Sequence, residues 1–374
     1  MRLSEGRSGA QEGANLIGIA LVVSTLFLLD IMGPYKEGNS TYLSFPGAIL
    51  LGLMLFLLLA GAMIVTKQRD LLALGDYAFG RIGGDILAAV VCIALFFSTY
   101  CIVSRFTAIV HALVFMKVTA FPVFLWIVPV VGYMTFRGLE CIARMAKCFG
   151  IFLGVVLVAY LLLPSQSYET YRLYPLPFSQ WETVVSAAFK GMFATAPAFL
   201  CMLCVPRGFH GVKNTRKAVM IGAAAAIVLV ALAQLAIGMI YSYVELQSIF
   251  IPLYRLNLKL LEESYFYRLD KLVLFLWLIG AMITSAYYMY GGSQVFCRRW
   301  SRYDIRPSVI AACVLLLCGL GAEHADHYTA VKTVFELFEY YGAWAVTAPF
   351  GVTAVAALIK NAVIKRREAN EASA

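Results

Sequence analysis

The sequence predicts an all-α integral membrane protein, a bundle of about ten transmembrane helices, and three observations predict it. The composition is 61% apolar with only 14% charged residues, and mean hydropathy is +0.81. A soluble domain sits nearer roughly 45–50% apolar and about 25% charged, so this chain lacks the polar surface to cover a water-facing globule. Apolar stretches of near-crossing length recur ten times along the 374 residues. Lysine and arginine, finally, collect in alternate connections between those stretches.

The stretches fall at about 15–33, 43–66, 85–104, 119–136, 148–164, 183–206, 218–243, 269–290, 307–321 and 342–363. About 20 residues of helix cross a hydrocarbon core. In lipid the main chain must satisfy its own hydrogen bonds, so these are helices. The first follows MRLSEGRSGAQEG and ends on Asp30 and IMGPYKEG, without the small residues of a cleavage site, and is read as a retained span. Two spans are marginal: the third has room to extend as a helix through Lys117, and the ninth is short. The chain reads as one transmembrane domain, 1–374, closing on a tail at 364–374.

Orientation follows from the loop cations. Twenty of the 30 lysines and arginines fall on the side that carries both termini. Eight fall on the other, Arg105 and Arg268 among them, and Lys190 and Lys271 lie within spans. Cations stay on the cytoplasmic side, which places both termini there. The same rule accounts for the net charge of +9 without a nucleic-acid partner, for which no basic, aromatic-interleaved patch exists. Nine cysteines at irregular spacing give no disulfide framework, and Cys201 and Cys204 have no second pair to complete a zinc or redox site. The Glu323–His327 EHADH stretch reads as a solvated loop. No metal and no cofactor is expected.

Helix-bundle transporters bind ligands near the bilayer midplane, where interrupted helices free main-chain groups. The sixth span has Lys190-Gly-Met-Phe-Ala-Thr195-Ala-Pro197. Proline removes one helical hydrogen bond, so Thr195 and the carbonyls near 193–196 become candidate acceptors for an ammonium group. A plain proline kink is the alternative. Lys190 either snorkels to the outer mouth or lies deeper as a functional cation. In the first span, a break near Ser24-Thr25 would aim main-chain N–H groups at a carboxylate. Ser98 and Tyr100, with Tyr287 and Tyr288, are candidates for the same chamber, although tyrosines also populate the interface belt. No nucleophile motif, phosphate loop or paired intramembrane carboxylate points to an enzyme.

The order of four stretches resembles the B subunit of spore germinant receptors, a family of the amino acid–polyamine–cation transporter superfamily. Arg137-Gly-Leu-Glu140-Cys-Ile-Ala-Arg144 is similar to the family's motif between the fourth and fifth spans. Tyr174-Pro175-Leu176 and then Phe189-Lys190-Gly191 resemble its approach to the sixth span. Tyr267-Arg268-Leu269-Asp270 with Trp277 and Gly280 resembles the start of its eighth, and Arg105-Phe106 the end of its third. Tyr267 replaces the family's usual glutamate, and Tyr42 stands where tryptophan is common.

The resemblance implies two inverted five-helix repeats (LeuT/APC-like), about 15–164 and 183–363. It also implies a subunit that senses a small nutrient, expected to be an amino acid, in the spore inner membrane. Such a subunit acts with A and C subunits and membrane lipids; an amino acid permease of the same fold is the rival. Arg105, Arg137, Glu140, Arg144, Lys190, Arg268, Asp270 and Trp277 become candidate structural, partner or gating residues.

Overall fold

The computed structural model describes residues 8–27, 42–114, 121–174, 180–246, 249, 251–256, 269–301, 305–322 and 327–373. Ten principal helices appear in the expected order. They are α1 (Ala10–Phe27), α2 (Ser44–Val65), α3 (Leu71–Leu113), α4 (Phe121–Arg137), α5 (Leu139–Leu162), α6 (Trp181–Cys204), α7 (Val212–Ile240), α8 (Leu269–Phe296), α9 (Arg306–Ala322) and α10 (His327–Ser373). Eight are long and apolar enough to cross a membrane, and two shorter apolar helices, 122–137 and 306–318, supply the rest. Their exteriors are greasy: Leu50, Met54 and Leu58 on α2 and Ile151 and Val155 on α5 are exposed at i+4 spacing. Such stripes suit lipid, not water.

Local chemistry sets the boundaries. Asp70 accepts the Ala73 amide at 2.9 Å and caps the start of α3. Gly138 takes φ 88° between α4 and α5, a turn that a β-carbon would strain, so Arg137-Gly-Leu-Glu140 is a helix hinge. Helix α3 continues past residue 104, in the direction of the extension that the sequence allowed. Arg105, counted from sequence as an outer-loop cation, is instead 1% exposed inside α3. Its Nε donates to the Phe27 carbonyl at the end of α1, 3.2 Å away. A hydropathy window ends at a charge, whereas a guanidinium given carbonyl partners stays inside the protein.

The packing obeys a two-fold logic. Helix α1 packs most extensively on α7, and α2 matches it on α6; α1 lies on α5 as α6 lies on α10, and α3 and α8 pair with each other. Exchanging helices one to five for six to ten reproduces this pattern, the signature of inverted repeats. Close approach uses glycine at both equivalent seams. A β-carbon at Gly222 on α7 would lie 2.3 Å from the Ala14 carbonyl oxygen of α1. One at Gly52 on α2 would lie 2.6 Å from the Phe199 ring of α6.

On the face opposite the termini, the α5–α6 connection is clasped to the end of α7. The Glu169 amide donates to the Met239 carbonyl at 3.1 Å, and Arg172 donates to the Ile240 carbonyl at 2.8 Å. The Tyr171 hydroxyl and the Arg172 guanidinium both bond the Glu169 carboxylate and hold its carboxyl below the usual carboxylate range.

Two predictions follow from these contacts. Gly222→Ala forces α1 and α7 apart and should destabilise the protein by about 1–3 kcal/mol, the usual cost of overpacking. Gly154→Ala, whose added carbon meets only Leu229 at 3.9 Å, should be neutral; thermal unfolding in detergent compares them. Glu169 has a depressed folded pKa, so its contribution is complete above the unfolded value and disappears as pH falls through the folded one. Amide exchange at Glu169, corrected for intrinsic rate, should be protected at pH 7 and rise below the carboxylate range. Glu169→Gln should raise it at pH 7 as well.

Candidate functional site

Helices α1, α3, α6 and α8 meet around a small cavity whose largely apolar wall carries three hydroxyls. Its walls are Ser24, Phe97, Ser98, Cys101, Ile102, Phe193, Ala194 and Tyr288, and its volume is about 10 Å³. A single water needs about 10–15 Å³, so the cavity has room for one water at most and admits no larger ligand. Ser24 and Tyr288 share a hydrogen bond of 2.9 Å that joins α1 to α8. Phe97 and Phe193 pack with centroids 5.9 Å apart and draw α3 against α6.

Of the candidate binding residues, the structure brings Ser24 and Ser98 together here, the Ser98 hydroxyl donating to the Ala94 carbonyl of its own helix at 2.7 Å. Thr25 is adjacent, but its hydroxyl donates back to the carbonyls of Leu21 and Val22 at 2.8 and 3.1 Å. Thr195 faces α2, with the Ala48 carbonyl 3.4 Å from its hydroxyl. Tyr287 donates to the Ala198 carbonyl at 2.9 Å and belongs to the α6–α8 seam. Tyr100 lines a separate groove with Phe296 and Leu315. Tyr288, which sequence left between chamber and interface belt, is fully buried at the cavity wall.

Both expected helix breaks are corrected. Helix α1 runs through Ser24 and Thr25 to Phe27, and α6 is continuous from Trp181 to Cys204 with Pro197 inside it. The Thr25 hydroxyl is satisfied inside α1 by the carbonyls three and four residues earlier, so it offers no free group at a break. Pro197 costs one main-chain bond, and the helix continues through it to Cys204.

The residues of the family resemblance lie elsewhere. Glu140 and Arg144 form an exposed i,i+4 ion pair at the start of α5, and Arg137 is exposed at the end of α4. Lys190 is partly buried in the first half of α6. Trp277 is 6% exposed and packs on Phe27 at 5.2 Å, and a β-carbon at Gly280 would touch Val23 at 3.0 Å. That face of α8 therefore looks onto α1. Arg268 and Glu323–Asp326 lie outside the described residues, as do the side chains of Asp270 and His327.

Sequence reading missed the seal on the face that carries the termini, called the basic face below. Arg299, in the π-helical segment Cys297–Ser301 after α8, donates to both Asp76 oxygens at 2.9 and 2.8 Å. It also bonds Asp85 and the Arg81 carbonyl. Arg298 reaches the Cys204 carbonyl at the end of α6 at 3.1 Å and Asp70 at 3.4 Å. These arginines had been read only as positive-side charges. The available signal was the three aspartates, Asp70, Asp76 and Asp85, on that same basic side.

Comparison with known proteins fits this geometry. The family model described as spore germination protein matches residues 18–319. The chain belongs to that family. No curated protein sequence matches it. Among solved structures, the chain is similar to a Na+-coupled sialic acid symporter in a substrate-bound outward-open state. Identity is 12%, the TM-score 0.69, and the match covers 96% of this chain and 91% of the symporter. It is also similar to a nucleobase-cation-symport-1 family transporter, closed with bromovinylhydantoin bound: 14% identity, TM-score 0.64, 99% and 94% covered. A manganese transporter from Eremococcus coleocola matches at 13% identity and TM-score 0.51, with 95% and 85% covered. This spore germination family protein therefore has the transporter fold built of inverted five-helix repeats.

Arg299→Gln should loosen the seal modestly, since Asp76 and Asp85 are each partly solvated, and raise the open population. Labelling of buried Cys201 and Cys204 by a thiol reagent added at the basic face reads it out, and an unchanged rate would show that the pairs do not gate access.

Proposed function

We propose that this protein is the membrane subunit of a spore germinant receptor in the inner membrane of the dormant spore, with both termini cytoplasmic. It senses a small nutrient, an amino acid, in the cavity between α1, α3, α6 and α8, and signals with A- and C-type partner subunits. The observation that carries this reading is a small cavity carrying three hydroxyls at the crossing of four helices, in a chain of the spore germination family. Ser24, Ser98 and Tyr288 supply hydroxyls for the ligand's polar groups, and Phe97 and Phe193 close over its body. Binding requires the Ser24–Tyr288 bond to part, which couples α1 to α8. A ligand shifts the bundle only by its differential affinity for the two states.

A second reading, transport of the same class of solute, is favoured by the symporter-like architecture. Uptake of labelled amino acid by vesicles containing this chain alone separates the two. Accumulation supports the permease; ligand binding without accumulation supports the receptor.

For the site, Ser98→Val combined with Ser24→Val should raise the half-maximal nutrient concentration at least about tenfold, the loss of one or two ligand hydrogen bonds. Protein abundance should be unchanged. Germination dose–response curves in a strain carrying only the variant test this. Superimposable curves would remove the cavity from nutrient recognition.

A further inference from the structure

We propose that the cleft between α5 and α7 is a binding site for one anionic phospholipid, with its phosphate on Lys213, Arg216 and Lys217. This goes beyond nutrient recognition and rests only on the chain's place in a membrane. The headgroup end is a shallow, open depression at the start of α7, where those three cations meet the apolar side chains of Ile64, Met220 and Ile221. On the same basic face, Arg144, Lys147, Arg298 and Arg299 each have a carboxylate within ion-pair distance. Among the described residues, Lys213, Arg216 and Lys217 have none. Helix α7 also begins at Val212 without a side-chain cap, so its first amides and positive end add to the same field.

The acyl end continues from there. A cleft of about 130 Å³ runs along α7, with α1 as its floor and α5 as its far wall. Ile221 lines both this cleft and the basic depression. Lys217, Ile221 and Ala225 follow at i+4 spacing on one side of α7, a run of about 12 Å at 1.5 Å per residue. Ile221 and Ala225 are exposed, so the mouth of the cleft opens sideways to lipid. Gly154 has open space towards α7: a β-carbon there would meet only Leu229, at 3.9 Å. Charge at headgroup depth above an apolar, laterally open cleft is the pattern of an anionic lipid site; a zwitterionic headgroup brings no net charge to three cations.

The test uses full-length protein, purified and delipidated in detergent. Native mass spectrometry and thermal unfolding are followed with phosphatidylglycerol, with phosphatidylcholine of the same chains, and with glycerol 3-phosphate. The site predicts saturable retention of phosphatidylglycerol and a rise in Tm, with little of either from phosphatidylcholine or the soluble headgroup. K213Q/R216Q/K217Q should weaken retention about tenfold or more. Ala225→Leu, which fills the mouth, should weaken retention of the long-chain lipid although every cation remains. K365Q/R366Q/R367Q, equal in charge removed but on the exposed α10 tail, should change nothing. Equal retention of the two lipids, or an equal loss in the tail variant, would overturn the proposal in favour of unspecific charge. Should the triple variant fail to fold, Lys217→Gln and Ala225→Leu carry the test, and undiminished retention in both would overturn it.

Discussion

Main-chain hydrogen bonding in a medium without water governs this molecule. A helix surrounded by lipid and other helices stays helical unless water or a ligand takes over the freed groups. At the crossing of α1, α3, α6 and α8 there is space for one water, and accordingly α1 and α6 are continuous there. The buried threonines obey the same rule. Thr25, Thr99, Thr107 and Thr284 all turn their hydroxyls onto the carbonyl four residues earlier, so each is satisfied within its own helix. Association between helices is left to small residues that bring backbones together, as at Gly222 and Gly52.

Few polar contacts cross between helices, and many of those involve α8. Tyr288 meets Ser24 on α1, Tyr287 meets the Ala198 carbonyl on α6, and Cys92 on α3 approaches the Gly292 carbonyl. The helix then continues into Arg298 and Arg299, which close the basic face against Asp70, Asp76 and Asp85. From Tyr288 to Arg299 is about 16 Å along a helix axis. The cavity and the seal are therefore two ends of one rigid element, and a shift of α8 at Tyr288 is felt at Arg299. The π-helical turn at 297–301 marks where that element's regular bonding changes, a common site of functional irregularity.

Much of the fold was legible because its signals are local and additive. Ten apolar runs and the alternation of cations give helices and their order without any tertiary knowledge. The errors arose where tertiary partners decide. Arg105 ended a span on paper because a charge is costly in lipid, yet the carbonyl at the end of α1 makes it an interior residue. Pro197 and Ser24-Thr25 looked like breaks because small polar residues and proline weaken helices in isolation; closure of the bundle around them decides otherwise. At the site, Ser24 and Ser98 were readable as small polar residues at mid-span. Thr195 and Tyr287 had the same sequence appearance, and only the rotation of α6 and α8 turns them to other seams. The aspartates on the basic side hinted at partners for its arginines, but the pairing of Arg299 with Asp76 and Asp85 spans more than 200 residues and only the fold reveals it.

The small cavity also sets the energetic scale of the proposed receptor. A site with room for one water excludes any amino acid, so a nutrient binds only the open arrangement. Its leverage is then RT ln(1 + [L]/Kd), about 2.7 kcal/mol at a hundred times Kd. Opposing it are one hydroxyl pair, Ser24–Tyr288, at about 0.5–1.5 kcal/mol and one aromatic contact, Phe97–Phe193, at about the same. The solvated pairs of Arg299 and the contacts of Arg298 with Asp70 and the Cys204 carbonyl add to that side. A closed state held by these few contacts stays shut without nutrient and yields within an ordinary range of concentration, whereas a cavity sealed by more such contacts would need ligand far above its Kd to open.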